Sequence, residues 1–145
     1  MFTPLTPQQV FDAALFGIRA QKYMRSVSSV TDSCVYRGDH GRKCGIGHPI
    51  PDEVYNPVFD TPDGGFSSNI NSLLEREGEI YEPLRVLFKG VPSELLTLVQ
   101  RAHDRHLDDA GSAAGAAVWE YHMANLAMMF QLVYTPVPDG AALPA

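Results

Sequence analysis

Cysteine, tryptophan and long apolar runs are scarce in this 145-residue chain, which has two cysteines and one tryptophan. Two cysteines cannot build the disulfide framework of a small secreted scaffold, so a reducing, cytoplasmic setting is expected. No apolar run approaches the ~20 residues that a membrane-spanning helix needs. The opening MFTPLTPQQV has neither the basic start nor the apolar stretch of a signal peptide. Basic side chains are also few, 11 against 17 acidic, for a net charge of −6. Non-specific binding to duplex nucleic acid requires clustered Lys and Arg, so neither duplex binding nor membrane association is expected. A Gly-rich phosphate loop, a Walker-type motif and a defensible Ser-His-Asp order are all missing.

What is present fits one globular domain that buries about 70% of its unfolded surface. The domain is expected over 1–134. The closing TPVPDGAALPA, 135–145, holds three prolines and one charge and reads as a mobile tail. Charge is uneven: residues 1–50 carry six basic and three acidic side chains, residues 51–145 five basic and fourteen acidic. The ordinary reading of such a split is two differently solvated faces. The functional one is orientation of a charged partner.

Helix signals are clear at several places. Thr6-Pro7-Gln8-Gln9 offers a cap, a proline at the first helical position and a glutamine that closes a capping box. Val10, Phe11, Ala14, Leu15 and Ile18 then share one face, predicting a helix from about Pro7 to Met24. Ser67 or Ser68 can cap a second helix that buries Ile70, Leu73 and Leu74, and Gly78 can end it. Pro92-Ser93 opens another, with Leu95, Leu98, Val99 and Ala102 as its stripe and His103-Asp104-Arg105-His106 at its end. The longest is expected after Ser112, with Val118, Trp119, His122, Met123, Leu126 and Phe130 on a broad apolar face. Its run of Ala and Gly from 113 to 117 permits close packing on another helix.

The most unusual stretch is Ser33–Tyr55, SCVYRGDHGRKCGIGHPIPDEVY. Cys34–Arg37 has strand character, Gly38–Gly41 is a turn, and Arg42–Cys44 is the returning strand of a β-hairpin. His48-Pro49-Ile50-Pro51 is extended, and Pro51-Asp52-Glu53 resembles the first turn of a short helix that Asn56-Pro57 stops.

Three readings of the two cysteines stand side by side. Cys34 and Cys44 are small buried hydrophobes, or they pair as a disulfide, or they ligate zinc with His48 and a distant fourth group, for which His103 is the candidate. His103-Asp104 resembles the HD pair of metal-dependent phosphohydrolases, whereas the ordinary reading is a local polar contact at a helix end. Tyr36, Arg37, Arg42 and Lys43 form a basic, aromatic cluster suited to a phosphate or carboxylate, with Arg37 as bidentate donor and Tyr36 stacking on a ring. In the structural alternative Arg37 pairs with Asp52 and pins the Ile50-Pro51 segment to the hairpin. The candidate ligand set is thus Tyr36, Arg37, Lys43, Asp52, His103 and Asp104, and the candidate metal set Cys34, Cys44, His48 and His103.

The pattern C-x-Y-R-G-x-x-G-x-K-C-x-x-G-x-x-I-P-D-x-x-Y, from Cys34 to Tyr55, resembles a family of small uncharacterised proteins of tailed phages and prophages. The resemblance extends from the first helix to Leu132 and includes a helix ending in His-Asp. It implies a phage or prophage origin and action in the cytoplasm of a host bacterium, and it carries over no catalytic residue. Two positions depart from the family pattern: His48 stands where cysteine is frequent and Pro49 where leucine is.

The fold class expected is α+β and mostly helical, with four or five helices around one core and a two-stranded β-hairpin packed against them. The leading functional expectation is an accessory protein that binds a host protein or a small nucleotide-type anionic ligand, without turnover, and blunts a bacterial defence. The alternatives are a small metal-dependent hydrolase built on the Cys/His/Asp groups, and a virion or assembly component. The oligomeric state is not legible.

Overall fold

The computed structural model describes residues 3–30, 33–61 and 68–138. Among these are five α-helices: α1 (Pro7–Ala20), α2 (Ile70–Leu74), α3 (Glu82–Phe88), α4 (Ser93–His106) and α5 (Ala113–Met129). A two-stranded antiparallel sheet joins β1 (Val27–Ser28) to β2 (Ser33–Cys34), with Val27 opposite Cys34. The α+β, mostly helical class is therefore the observed one. α4 lies at the centre, packed against α1, α2 and α5.

Local signals set most helix starts. Thr6 and Gln9 form the reciprocal capping box, with Thr6 Oγ1 accepting from Gln9 N at 3.1 Å and Gln9 Oε1 from Thr6 N at 2.9 Å. Such a cap contributes about 1 kcal/mol. Ser112 Oγ caps α5 by accepting from Gly115 N at 3.1 Å. Asn69, rather than Ser68, caps α2 by accepting from Ser72 N; Ser67 lies outside the described residues. The apolar stripes of α1 and α4 point inward, and Phe11, Leu15, Ile18, Leu95, Val99, Trp119 and Met123 are essentially inaccessible to solvent. Each such side chain contributes roughly 1.5–3 kcal/mol of burial.

Several boundaries were decided by tertiary contacts. α1 stops at Ala20 rather than Met24, because Lys22 and Tyr23 take left-handed φ of 58° and 60°. Tyr23 N then donates to Ile18 O and Lys22 N to Arg19 O, both at 2.9 Å, a Schellman closure made without glycine. The chain turns there so that Arg25 N can donate to Asp108 O at 3.0 Å. Gly111 sits against the Lys22 carbonyl at φ +67°, where a Cβ would lie 2.3 Å from the oxygen. No other residue meets both requirements. The small residues of α5 do permit close packing: a Cβ on Gly115 would come within 2.8 Å of His106 O, at the end of α4.

The sheet is placed differently from the sequence expectation. Cys34 pairs with Val27, and Val35 N donates to Ser26 O at 3.2 Å. The expected hairpin survives as a single bridge between Arg37 and Lys43, closed by Gly38 N donating to Arg42 O at 2.9 Å. Cys44 N also donates to Tyr36 O at 3.3 Å, and the arms turn through a 3-10 turn at Asp39–Gly41 with His40 at φ 62°. Pro51–Glu53 makes a turn but no helix, while Pro57–Phe59 forms a 3-10 turn capped by Asn56.

A polar knot ties α1, α5 and the segment after α5 together. Arg19 grips Glu120 through Nε to Oε2 at 2.9 Å and Nη2 to Oε1 at 2.6 Å. Tyr23 and Tyr134 donate their hydroxyls to the same carboxylate at 3.1 and 2.5 Å. Burial pushes the Glu120 carboxyl upward, but Arg19 and the two hydroxyls outweigh it and hold it below its ordinary value. Arg19 also donates to Thr135 O at 2.7 Å, so the expected mobile tail is anchored at its first residue. Residues 139–145 of that segment lie outside the described residues.

Candidate functional site

A cleft of about 520 Å³ opens where the segment from Cys34 to Tyr36 meets α4 and the start of α2. Cys34, Tyr36, Cys44, Asn71, Arg101, Asp104 and Arg105 are among its lining residues. That volume falls in the range of small-molecule sites. Much of its polar lining is already committed. Gln100 Oε1 accepts from Ile70 N and its Nε2 donates to Tyr36 Oη, at 2.9 and 3.0 Å. Asn71 Nδ2 donates to Ser93 O and to Thr97 Oγ1. The two guanidinium groups are different: Arg101 and Arg105 are exposed, and neither has a carboxylate partner among the described residues. They stand four residues apart on one helix, where like charges repel. An anion between them would relieve that repulsion.

Beneath the cleft lies a cluster of Cys34, His103 and Asp104, whose donor atoms all fall within 4.8 Å of one another. His103 is fully buried, and its Nε2 accepts from the backbone N–H of Ser26 at 2.8 Å. The ring proton therefore sits on Nδ1, which donates to Asp104 Oδ1 at 2.7 Å. A metal-bound imidazole needs the reverse, one nitrogen free for the ion and the other N–H facing an acceptor. Here the second nitrogen faces a donor. Cys34 is no better placed, since burial and the neighbouring Asp104 carboxylate push its thiol up to about 11. It stands protonated at neutral pH and is a poor nucleophile. The residues of this cluster do not fit a zinc site.

The remaining members of the expected metal set are elsewhere. Among the described residues, Cys44 and His48 join no cluster of three such groups. Cys34 and Cys44 are both free thiols. Cys44 lines the cleft, buried, with its Sγ accepting from Gly47 N at 3.2 Å. His48 lies against α1, its ring over Gly17 and its Nε2 on Gln21 Oε1 at 2.9 Å. Of the expected set Cys34, Cys44, His48 and His103, only Cys34 and His103 come together, because His48 is packed against α1.

The expected ligand set divides likewise. Tyr36 is at the cleft but 1% exposed, its hydroxyl donating to Ser68 O at 2.6 Å. It forms the floor and leaves no face for stacking. Its backbone N–H and that of Arg37 are held by the buried Asp60 carboxylate, which Tyr55 Oη also meets. Arg37 is spent internally, with Nη1 on Asp52 at 2.7 Å, Nη2 donating to Ile50 O at 3.0 Å, and the guanidinium 4.3 Å over the Tyr55 ring. That is the structural alternative for Arg37 and Asp52. Lys43 is fixed through its backbone by the Gln21 amide, with N···Oε1 at 3.1 Å and O···Nε2 at 2.8 Å. Asp104 lines the cleft and His103 supports it from below. Arg101 and Arg105 escape sequence reasoning. They fall on the solvent side of the Leu95–Val99–Ala102 stripe, where arginine is ordinary.

The thiol chemistry is open to test. Iodoacetamide should modify Cys34 at pH 7 about 100-fold more slowly than free cysteine, because so little thiolate is present. Asp104→Asn should raise that rate by lifting the repulsion from the thiolate. Labelling at the free-cysteine rate, followed by mass spectrometry, would contradict the geometry.

Compared with known proteins, this chain matches no family model, no curated protein and no solved structure.

Proposed function

We propose that this is a non-catalytic binding protein whose cleft takes a small, anionic, nucleotide-type ligand. The observation behind the reading is the pair of guanidinium groups, Arg101 and Arg105, at the mouth of a 520 Å³ cleft whose other polar groups are largely satisfied. Arginine forks suit phosphate or carboxylate oxygens. Asp104 at the same rim offers an acceptor to a base or sugar, and so gives the ligand a second, non-anionic end. Turnover is disfavoured by the chemistry beneath: a protonated thiol and an imidazole with both nitrogens engaged leave no activated base or nucleophile. The resemblance of Cys34–Tyr55 to small phage proteins supports a setting inside an infected bacterium. Sequestering a small anionic signal there would blunt a defence that depends on it.

Ligand-observed NMR against nucleoside mono- and diphosphates, inorganic phosphate and neutral nucleosides tests the reading. Phosphate-bearing nucleotides should bind and neutral nucleosides should not. The double substitution Arg101→Ala, Arg105→Ala should weaken binding at least ~30-fold, and added salt should weaken it too. Both side chains are exposed, so the fold should survive, whereas alanine at the buried His103 would strip partners from Ser26 and Asp104 and confuse the result. Equal binding by the double variant, or no nucleotide binding near 1 mM, would sink the proposal.

A further inference from the structure

α5 carries apolar residues on every side, although only one side packs on the core. Gly115, Ala116, Trp119, Met123, Leu126 and Ala127 are buried. On the opposite side Ala114, Val118, Tyr121, Asn125 and Met128 recur at spacings of four, three, four and three, the interval of a coiled-coil seam. Tyr121 is 67% exposed, Met128 78% and Met129 60%. A helix apolar all round is ordinarily enclosed, and nothing among the described residues encloses this side.

Charge and shape point to the occupant. From 110 to 138 Glu120 is the single Asp, Glu, Lys or Arg, with His122 the one histidine, and Glu120 is buried against Arg19. The exposed face of α5 thus has no formal charge, in a chain of net charge −6 whose other surfaces would repel a copy of themselves. Tyr and Met enrichment with charge depletion is the composition of an interface centre. The strip is also graded, from small Ala114 and Ala117 at one end to large Met128 and Met129 at the other, with Tyr121 midway. A graded strip of this kind complements itself when reversed.

We infer that the protein forms a two-fold symmetric dimer through α5, the two helices antiparallel, with Tyr121 on the axis and Ala114 of each copy facing Met128 of the other. An isologous contact of this kind closes on itself and does not propagate. Seventeen residues give a strip about 25 Å long. Two strips would bury on the order of 1,000 Å², at the low end for specific pairs. A reversible dimer with micromolar affinity is the expected result.

Analytical ultracentrifugation of the full chain from about 5 µM to about 500 µM reads it directly. The sedimentation coefficient should rise from monomer to dimer over that range. Met128→Lys should weaken association at least ~30-fold, as should Ala114→Glu. Both positions are exposed, so the melting temperature of dilute samples should match the unaltered chain. Mixing the two variants should restore the dimer, because antiparallel pairing sets the introduced ammonium of one against the introduced carboxylate of the other. A chain that stays monomeric throughout, including one whose face binds something else, overturns the inference. So does association unchanged by Met128→Lys, or a mixture that fails to recover.

Discussion

Glu120→Ala is expected to lower stability by about 3–5 kcal/mol, the cost of breaking a buried ion pair by removing one partner. Both side chains are largely hidden, with 14% of Arg19 and 10% of Glu120 exposed. The substitution leaves a guanidinium without its counter-charge and takes the acceptor from both Tyr23 and Tyr134. Those hydroxyls now titrate at about 12, raised by burial and by the carboxylate they face. Because Arg19 also reaches Thr135 and Tyr134 lies beyond α5, the loss should loosen the segment after the helix as well as the α1–α5 contact. For a chain of this size the melting temperature should fall by roughly 10–15 °C. The paired replacement Arg19→Met, Glu120→Leu should cost much less, since it removes both charges together. Urea denaturation of the three proteins checks this. A Glu120→Ala loss below about 1 kcal/mol, the value of an exposed pair, would show that the knot is open to solvent.

The second large effect is acid destabilisation through His48. Burial, then the nearby Lys43 and His103, lowers this imidazole from 6.5 to about 4. In the unfolded chain it protonates near 6.5, so the unfolded state takes up more protons as the pH falls. The stabilisation is complete above 6.5 and is lost between there and about 4. At 1.36 kcal/mol per unit the shift corresponds to about 3 kcal/mol, and partial solvent access reduces that to about 2 kcal/mol. Urea midpoints measured from about pH 7.5 to about 4.5 should decline over this window. His48→Gln, which keeps a donor for Gln21 Oε1, should flatten most of the decline. His106 is lowered too, by burial and by the stacked His122 and Arg105, and acts in the same direction, so the difference between the two proteins isolates His48. Glu120, held below its ordinary value, loses its contribution only at lower pH. The cause lies in packing: a Cβ on Gly17 would sit 2.3 Å from the His48 ring. Gly17→Ala should therefore eject the ring and flatten the same profile.

The site is only partly legible in the sequence. Cys34, His103 and Asp104 stand out there as chemically capable residues, and they do meet. What defeats the metal assignment is register. Residues 26–28, rich in serine, carry no strand periodicity, yet they pair with Ser33–Val35, while the 42–44 segment pairs only with Tyr36–Gly38. Two-residue strands are too short to leave a pattern. That pairing turns an expected metal pocket into a hydrogen-bonded support, because the Ser26 N–H occupies the nitrogen a metal would need. Arg37 is legible in its structural role, since an acidic partner stands in the adjoining turn. Arg101 and Arg105 are not, since what sets them apart is having no carboxylate partner among the described residues.

By itself the sequence determined the helices, through caps at Thr6 and Ser112 and apolar stripes that bury one face. Those instructions are local and operate within one or two turns. Only the tertiary structure decided where α1 ends, which strand Cys34 pairs with, which proton His103 carries, and which arginines have no carboxylate beside them among the described residues. Each depends on groups tens of residues apart, whose hydrogen bonds and charges are balanced only once the chain has closed.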